Sequence, residues 1–129
     1  MKTGCFKYYT GDMGVAICIY PPIDWQGLRF PTLAPPNHLF FAAKQGKVDN
    51  LAYERIYYAE VLYKLDAQEI YDRLKDNVLL CWEKPENFCH RFLVSKWIKD
   101  ELGIEVPEWN IKDEKVEKLI KDKNIKPLF

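Results

Sequence analysis

The stretch LLCWEKPENFCHRFLVSKW, residues 79–97, joins an apolar run to a run with helical periodicity. The apolar part, residues 77–82, predicts a strand buried on both faces because its apolar character is continuous. Residues 85–102 predict a helix, with Pro85 in its first turn and Gly103 at its end. A buried strand that leads into a helix is the repeating unit of a parallel sheet covered by helices. This stretch therefore predicts an α/β fold.

The rest of the chain continues the alternation of strands and helices. Two further strands are predicted at residues 14–20 and 104–106, and residues 5–9 are interpreted as a short strand or the lead-in to one. Helices are predicted at 51–65 after an Asp49 cap and at 66–76 with an Asp66 cap, and a short helix or a turn is predicted from residue 38 to Gly46. The Pro-rich and Gly-rich residues 21–37 predict a long loop without regular structure. We expect one compact α/β domain over residues 1–129, with a small, at least partly parallel sheet flanked by helices on its faces, and a peripheral C-terminal helix at 110–124.

Composition limits the classes of function. The 129 residues contain 19 Lys and Arg and 19 Asp and Glu, so no basic excess points to a nucleic-acid coat. The longest apolar run, residues 15–20, is far shorter than the roughly 20 residues that cross a bilayer, and the N-terminus lacks a signal-peptide pattern. We expect a cytoplasmic protein with no membrane partner. The four cysteines lack a Cys-x-x-Cys pair, which favours free thiols in a reducing compartment.

Cys89, His90 and Arg91 stand together where the predicted strand gives way to the helix. Ligand crevices form at the carboxyl ends of strands in open α/β sheets, and a helix N-terminus binds anions. Helical spacing aims Arg91 into an apolar arc, where its charge needs an anionic partner. That partner is either a phosphate or carboxylate of a ligand, or an internal carboxylate such as Glu83, Glu54 or Glu60.

Three side chains of this turn are candidate catalytic groups. A thiol near an imidazolium at a helix N-terminus can become a thiolate nucleophile, so Cys89 is a candidate, although a small buried packing residue is the simpler interpretation. His90 could transfer protons or cap the helix, and Glu83 could act as an acid or base or hold Arg91. Cys81 is interpreted as a core residue. The spacing of Cys81, Cys89 and His90 differs from common zinc motifs, and we expect no metal and no cofactor.

Aromatic side chains suggest what the crevice could bind. Trp25 could stack on a base and Arg29 could contact a phosphate, although such aromatics more often cover a sheet edge. Tyr53 and Tyr57 share one helix face and could line the same crevice, although buried packing is the commoner role of such tyrosines.

The quoted stretch resembles the signature of the domain of unknown function 488 family, in which a strand ending in Cys and an E-K-P-like turn lead to Cys-His-Arg. The segments WQGLRFPTLAP and GIEVPE extend the resemblance, which covers most of residues 5–108. It implies a small bacterial, archaeal or phage α/β protein without an agreed activity. The residues that match the family pattern are Trp25, Gly27, Leu33, Ala34, Pro35, Cys81, Glu83, Cys89, His90 and Arg91. The segment YYTGDMG departs from the opening of many members.

Two hypotheses follow for function. The first is a hydrolase or transferase that acts on a nucleotide, nucleoside or nucleic-acid end through the anion-binding strand-to-helix turn. In it, Arg91, Trp25 and Arg29 hold the ligand while His90 and Glu83 move protons. The alternative is a non-catalytic binding or sensor module for a small anionic ligand or a protein partner, with a structural Cys-His-Arg motif. The substrate, the reaction and the oligomeric state stay open.

Overall fold

The sheet has four strands, and every neighbouring pair is parallel. The computed structural model describes residues 1–122. The order across the sheet is β1 (Lys2–Cys5), β4 (Val78–Cys81), β2 (Gly14–Ala16) and β3 (Leu28–Arg29). All four residues of β4 are buried, and β1 and β2 flank it, so the predicted central strand is confirmed. The α/β class and the parallel sheet are likewise confirmed.

Within residues 1–122, five α-helices connect and flank these strands. They are α1 (Asn37–Lys44), α2 (Asn50–Glu60), α3 (Ala67–Leu74), α4 (His90–Leu102) and α5 (Ile111–Asp122). Asp49 accepts a hydrogen bond from the Ala52 amide at 2.8 Å, and Asp66 accepts one from the Glu69 amide at 3.1 Å. Both predicted caps are thus present. Gly103 ends α4 at φ 70°, a left-handed conformation that glycine adopts without strain.

Two hydrophobic clusters lie on opposite sides of β4, because successive side chains of a strand alternate between its faces. Leu79 belongs to the larger cluster, which includes buried residues of α1, α2, α3 and α4. Val78 and Leu80 belong to the smaller cluster with Trp109, against which Phe6, Tyr9 and Trp25 pack. Aromatic side chains, Trp25 among them, thus cover the second face of the central strand.

Some predicted boundaries are wrong. The strand predicted at 5–9 lies earlier, at Lys2–Cys5. The strand predicted at 14–20 ends at Ala16, because Ile17 makes a last ladder bond to Leu80 and the chain then leaves the sheet toward two prolines. The loop predicted at 21–37 contains β3 and a 3-10 turn at Pro31–Leu33, since the Phe30 amide donates to the Ala16 carbonyl.

The later boundaries also differ. The helix predicted at 51–65 ends at Glu60, and a separate 3-10 turn follows at Leu62–Lys64. α4 begins at His90 and not near Pro85, because residues 82–88 are exposed and lack an apolar face to bury. Residues 104–106 form no strand; an isolated bridge between Thr3 and Glu108 follows instead. α5 corresponds to the helix predicted at 110–124, of which residues 123 and 124 lie outside the described residues.

No helix within residues 1–122 combines the length and the apolar character that crossing a membrane requires.

Candidate functional site

A cavity of about 710 Å³ opens at the carboxyl ends of β2 and β4. Its walls come from residues 18–23 after β2, from α1 and the start of α2, and from both ends of the segment that joins β4 to α4. Neighbouring parallel strands end at the same edge of the sheet, which is where crevices form in this class of fold. The sequence placed the candidate site at this edge.

Two thiols and one imidazole meet at the floor of the cavity. His90 Nδ1 lies 3.7 Å from Cys81 Sγ and 3.8 Å from Cys89 Sγ. All three side chains are buried, with 3 to 4% of each residue exposed, yet all three line the cavity. β4 supplies Cys81 as its last residue, Cys89 is the N-cap of α4, and His90 is the first residue of that helix. The turn therefore brings together residues that are eight and nine positions apart.

The ring of His90 is held in one orientation. Its Nε2 lies 2.8 Å from the backbone carbonyl oxygen of Ile17, which can only accept a hydrogen bond. Nε2 therefore carries a proton, and in the neutral ring Nδ1 keeps a lone pair that faces both thiols. Tyr57 packs edge-on against the imidazole at 5.6 Å and supports it from behind. His90 is thus arranged as a base for a neighbouring thiol.

The environment favours a thiolate at Cys89. Burial acts to raise the pKa of the Cys89 thiol, but hydrogen bonds from Cys81 and His90 and the charges of His90 and Arg91 lower it well below its ordinary value. Burial also acts to lower the pKa of His90, and here the hydrogen bond and charge of Cys89 prevail and raise it. The amino end of α4 adds its positive dipole. Both pKa shifts act in the direction of a Cys89 thiolate beside a His90 imidazolium.

Cys81 stays a thiol and acts as a donor. Its hydrogen bond to Cys89 and its burial raise the pKa of Cys81 well above the ordinary value. The Cys81 thiol has a single hydrogen, and Glu83 Oε2, which lies 3.2 Å from Cys81 Sγ, competes with Cys89 for it. Glu83 thus reaches the cluster through Cys81. The sequence singled out Glu83, Cys89 and His90, and the structure brings all three into one cavity.

Arg91 does not line the cavity. Its side chain is completely buried, and its Nε and Nη2 donate to the two carboxylate oxygens of Glu108 at 3.2 and 2.7 Å. The anionic partner that the sequence predicts for Arg91 is thus the internal carboxylate of Glu108. The partners suggested for it, Glu83, Glu54 and Glu60, were wrong, because the chain after α4 returns to β1 and presents Glu108 beside the helix.

The other predicted ligand-binding residues divide between the cavity and its surroundings. Tyr53 lines the cavity, where burial raises its pKa. Tyr57 is fully buried, and its hydroxyl donates to the Leu33 carbonyl at 2.6 Å. Trp25 packs against Phe6 at 5.2 Å, away from the cavity lining, and Arg29 is exposed on β3. Only Tyr53 of these four residues faces the cavity.

Cys81, Cys89 and His90 also form the group best suited to a soft cation within residues 1–122. Their ligand atoms all lie within 4.8 Å of one another. Two sulfurs and one imidazole nitrogen are ligand types that Zn²⁺ accepts, and a fourth position would fall to Glu83 or to a molecule in the cavity. The expectation that no metal binds stays a prediction.

Sequence reasoning missed three contributors. Cys81 was taken for a core residue, although its place at the carboxyl end of β4 could have signalled a site residue. The Ile17 carbonyl is 73 positions from His90, and Glu108 is 17 positions from Arg91. Neither pairing leaves a pattern in the local sequence.

A family model described as "DUF488-N3a: Active DUF488-N3 subclade" matches residues 17–102, more than half of the chain. The matched range holds the whole Cys81, Cys89 and His90 cluster and leaves out Glu108. Comparison with curated proteins gives no match, and comparison with solved structures gives none either.

Proposed function

The chain belongs to the DUF488 family, in its DUF488-N3a subclade, and from that premise we propose that it is a transferase or hydrolase whose nucleophile is Cys89. The observation that carries the proposal is the Cys81, Cys89 and His90 cluster at the floor of an open cavity. A nucleophilic site needs an activated atom, a base beside it and a group that orients the base. Cys89 supplies the activated atom, His90 is the base, and the Ile17 carbonyl orients that base. The word "active" in the subclade's description agrees with a working site.

The reaction proceeds in two steps. Cys89 Sγ attacks an electrophilic carbon of the substrate, the bond from that carbon to the leaving group breaks, and the leaving group takes the proton from His90. Water or an acceptor hydroxyl then gives its proton to His90 and attacks the same carbon, and the bond to sulfur breaks. The choice between water and an acceptor decides between hydrolysis and transfer.

The cavity walls support a substrate with a planar ring. Aromatic side chains line much of the space: Tyr20, Phe40, Tyr53, Trp82 and Phe88. Stacking on such side chains is worth roughly 1 to 3 kcal/mol per base in nucleic-acid complexes. Lys44 provides a basic side chain in the same lining for a phosphate. We therefore propose a nucleoside, a nucleotide or a nucleic-acid end as the substrate class.

One observation favours a second candidate function, a non-catalytic binding module. Arg91 of the Cys-His-Arg motif is closed into an internal ion pair, as expected if part of the motif is structural. In such a module the same aromatic cavity would hold a ligand without breaking a bond in it.

A covalent adduct distinguishes the two functions. The reduced protein is incubated with a panel of nucleosides, nucleotides and short oligonucleotides, quenched in acid and measured by intact mass spectrometry. We expect a mass increase at Cys89 with at least one member, a normal increase in Cys18→Ala, and none in Cys89→Ala. Cys18 is a matched control because it lines the same cavity and is not part of the cluster.

The remaining outcomes are equally informative. A panel member that raises the melting temperature without forming an adduct or a product supports the binding module. An adduct that persists in Cys89→Ala would show that Cys89 is not the nucleophile. If no panel member binds at all, the proposed substrate class is overturned.

A further inference from the structure

The cavity contains a second thiol that the proposed reaction does not consume. A covalent mechanism with one nucleophile needs Cys89 alone, yet the Cys81 thiol lines the same cavity beside it. The two sulfur atoms and His90 Nδ1 lie within 4.8 Å of one another. We propose that Cys81 and Cys89 form a reversible intramolecular disulfide when a hydroperoxide enters the cavity, and that this bond switches off the nucleophile; the second half of this inference rests on the proposed function.

The backbone around the two cysteines suits such a closure. Cys81 pairs with Cys5 of β1, and the preceding residue, Leu80, pairs with Ala16 of β2, so the sheet fixes the end of β4. Cys89 is an N-cap without a side-chain hydrogen bond to the helix, and it follows an exposed segment, residues 82–88, that belongs to no helix or strand. A disulfide requires the two sulfurs to approach to about 2.05 Å. The joining segment can supply that movement without breaking a strand.

His90 serves both halves of the oxidation. The Cys89 thiolate attacks the terminal oxygen of the hydroperoxide, the O–O bond breaks, and the departing alkoxide or hydroxide takes the proton from His90. Cys89 is then a sulfenic acid. His90 Nδ1, which lies 3.7 Å from Cys81 Sγ, accepts the proton of Cys81. The Cys81 sulfur attacks Cys89, the S–O bond breaks, and hydroxide leaves as water with that proton.

The electrons balance in this sequence. Two thiols lose two electrons and two protons, and the hydroperoxide becomes an alcohol, or water, together with one further water. The thiol partner is Cys81 and not Cys18, because Cys18 lies outside the compact group of ligand atoms. Cys81 also has a base for its proton, since His90 Nδ1 lies 3.7 Å from its sulfur.

The test uses the full chain, reduced and treated with EDTA, then exposed to an equimolar amount of hydrogen peroxide. We expect a loss of two hydrogen masses. Proteolysis after Glu83 and Glu86 separates the two cysteines, so the link is seen as a pair of peptides joined under non-reducing conditions. Alkylation of Cys89 by iodoacetamide should be abolished in the oxidised protein and fully restored by dithiothreitol.

Two variants sharpen the result. Cys81→Ser should stop at the sulfenic acid of Cys89, which dimedone traps, whereas Cys18→Ser should form the disulfide as the unchanged protein does. A wild-type protein that keeps both hydrogens while iodoacetamide still labels Cys89 overturns the disulfide and leaves the nucleophile intact. A link between Cys18 and Cys89 also overturns it. Cys89 that reacts with iodoacetamide no faster than Cys18 contradicts the proposed function itself.

Discussion

At the residue scale, three consecutive side chains have three different roles. Cys89 and His90 line the cavity, whereas Arg91 does not and is held in an ion pair with Glu108. Successive residues at a helix start point about 100° apart, so adjacency in sequence does not predict a shared site. The helical periodicity correctly predicted that Arg91 is turned inward. It could not identify the partner, because that carboxylate comes from a segment beyond the end of α4.

The lowered pKa of Cys89 predicts an unusual pH dependence of its reactivity. A thiolate is the reactive form, and a thiol loses about tenfold in rate for each pH unit below its pKa. Burial raises the pKa of Cys18 to about 11, so between pH 8 and pH 6 its alkylation should slow about 100-fold by that rule. Cys89, whose pKa lies well below the ordinary value, should lose much less over the same interval.

The measurement is the rate of iodoacetamide labelling at each cysteine, read by peptide mass spectrometry in one sample at each pH. Cys18 is the internal reference for changes in the reagent or in the fold. His90→Ala removes the imidazolium that supports the thiolate, so in that variant the rate at Cys89 should fall with pH as an ordinary thiol does. A tenfold loss per pH unit at Cys89 in the unchanged protein would disprove the thiolate.

At the element scale, the start of α4 explains how a thiol becomes available for chemistry. N-cap side chains usually bond to the free amides of the first turn, but the Cys89 side chain makes no such bond. Asp49 and Asp66, the caps of α2 and α3, both do. The cap position of α4 thus holds a reactive side chain where α2 and α3 hold a stabilising one.

Replacing Cys89 by Ser should separate stability from reactivity. A serine hydroxyl is among the preferred N-cap groups, and capping typically contributes about 0.5 to 2 kcal/mol. We expect the free energy of unfolding of Cys89→Ser, measured in urea, to be unchanged or higher by up to about 1 kcal/mol. Labelling by iodoacetamide at this position should disappear.

Cys18→Ser provides the comparison, since it should keep both the stability and the labelling of Cys89. If the free energy of unfolding of Cys89→Ser is clearly lower than that of Cys18→Ser, Cys89 is a packing residue and not a reactive group.

Local signals predicted the elements better than their boundaries. Asp49, Asp66 and Gly103 act through bonds or backbone angles within a few residues, and each was found where the sequence placed it. Pro85 gave a false helix start because proline also suits extended and turn segments. The length of that turn depends on how far the chain must travel from the end of β4 to the packed position of α4, and no local pattern encodes that distance.

At the scale of the whole molecule, Glu108 links the segment after α4 to both the sheet and the helix. Its carboxylate accepts hydrogen bonds from Thr3 Oγ1 at 2.8 Å and from Arg91. The Thr3 amide donates to the Pro107 carbonyl, and the Trp109 amide donates to the Thr3 carbonyl. The segment thereby extends the sheet beside β1, although it is too short to count as a strand. The strand predicted at residues 104–106 was wrong, and the pairing with β1 lies a few residues later, at Glu108.

Glu108→Gln should therefore weaken the whole fold. The change leaves the Arg91 guanidinium buried without a countercharge, and within residues 1–122 Arg91 Nη1 already has no hydrogen-bond partner. Removing one member of a fully buried pair costs about 3 to 5 kcal/mol. Because the Glu108 side chain keeps 21% exposure, we expect a loss of about 2 to 3 kcal/mol in the urea-derived free energy of unfolding.

Glu105→Gln is the matched control. Glu105 pairs with Lys99 and its side chain is 79% exposed, so the change should cost less than about 0.5 kcal/mol. Equal stability of the two variants would mean that the Arg91 charge is compensated elsewhere, and would reopen Arg91 as a site for an external anion.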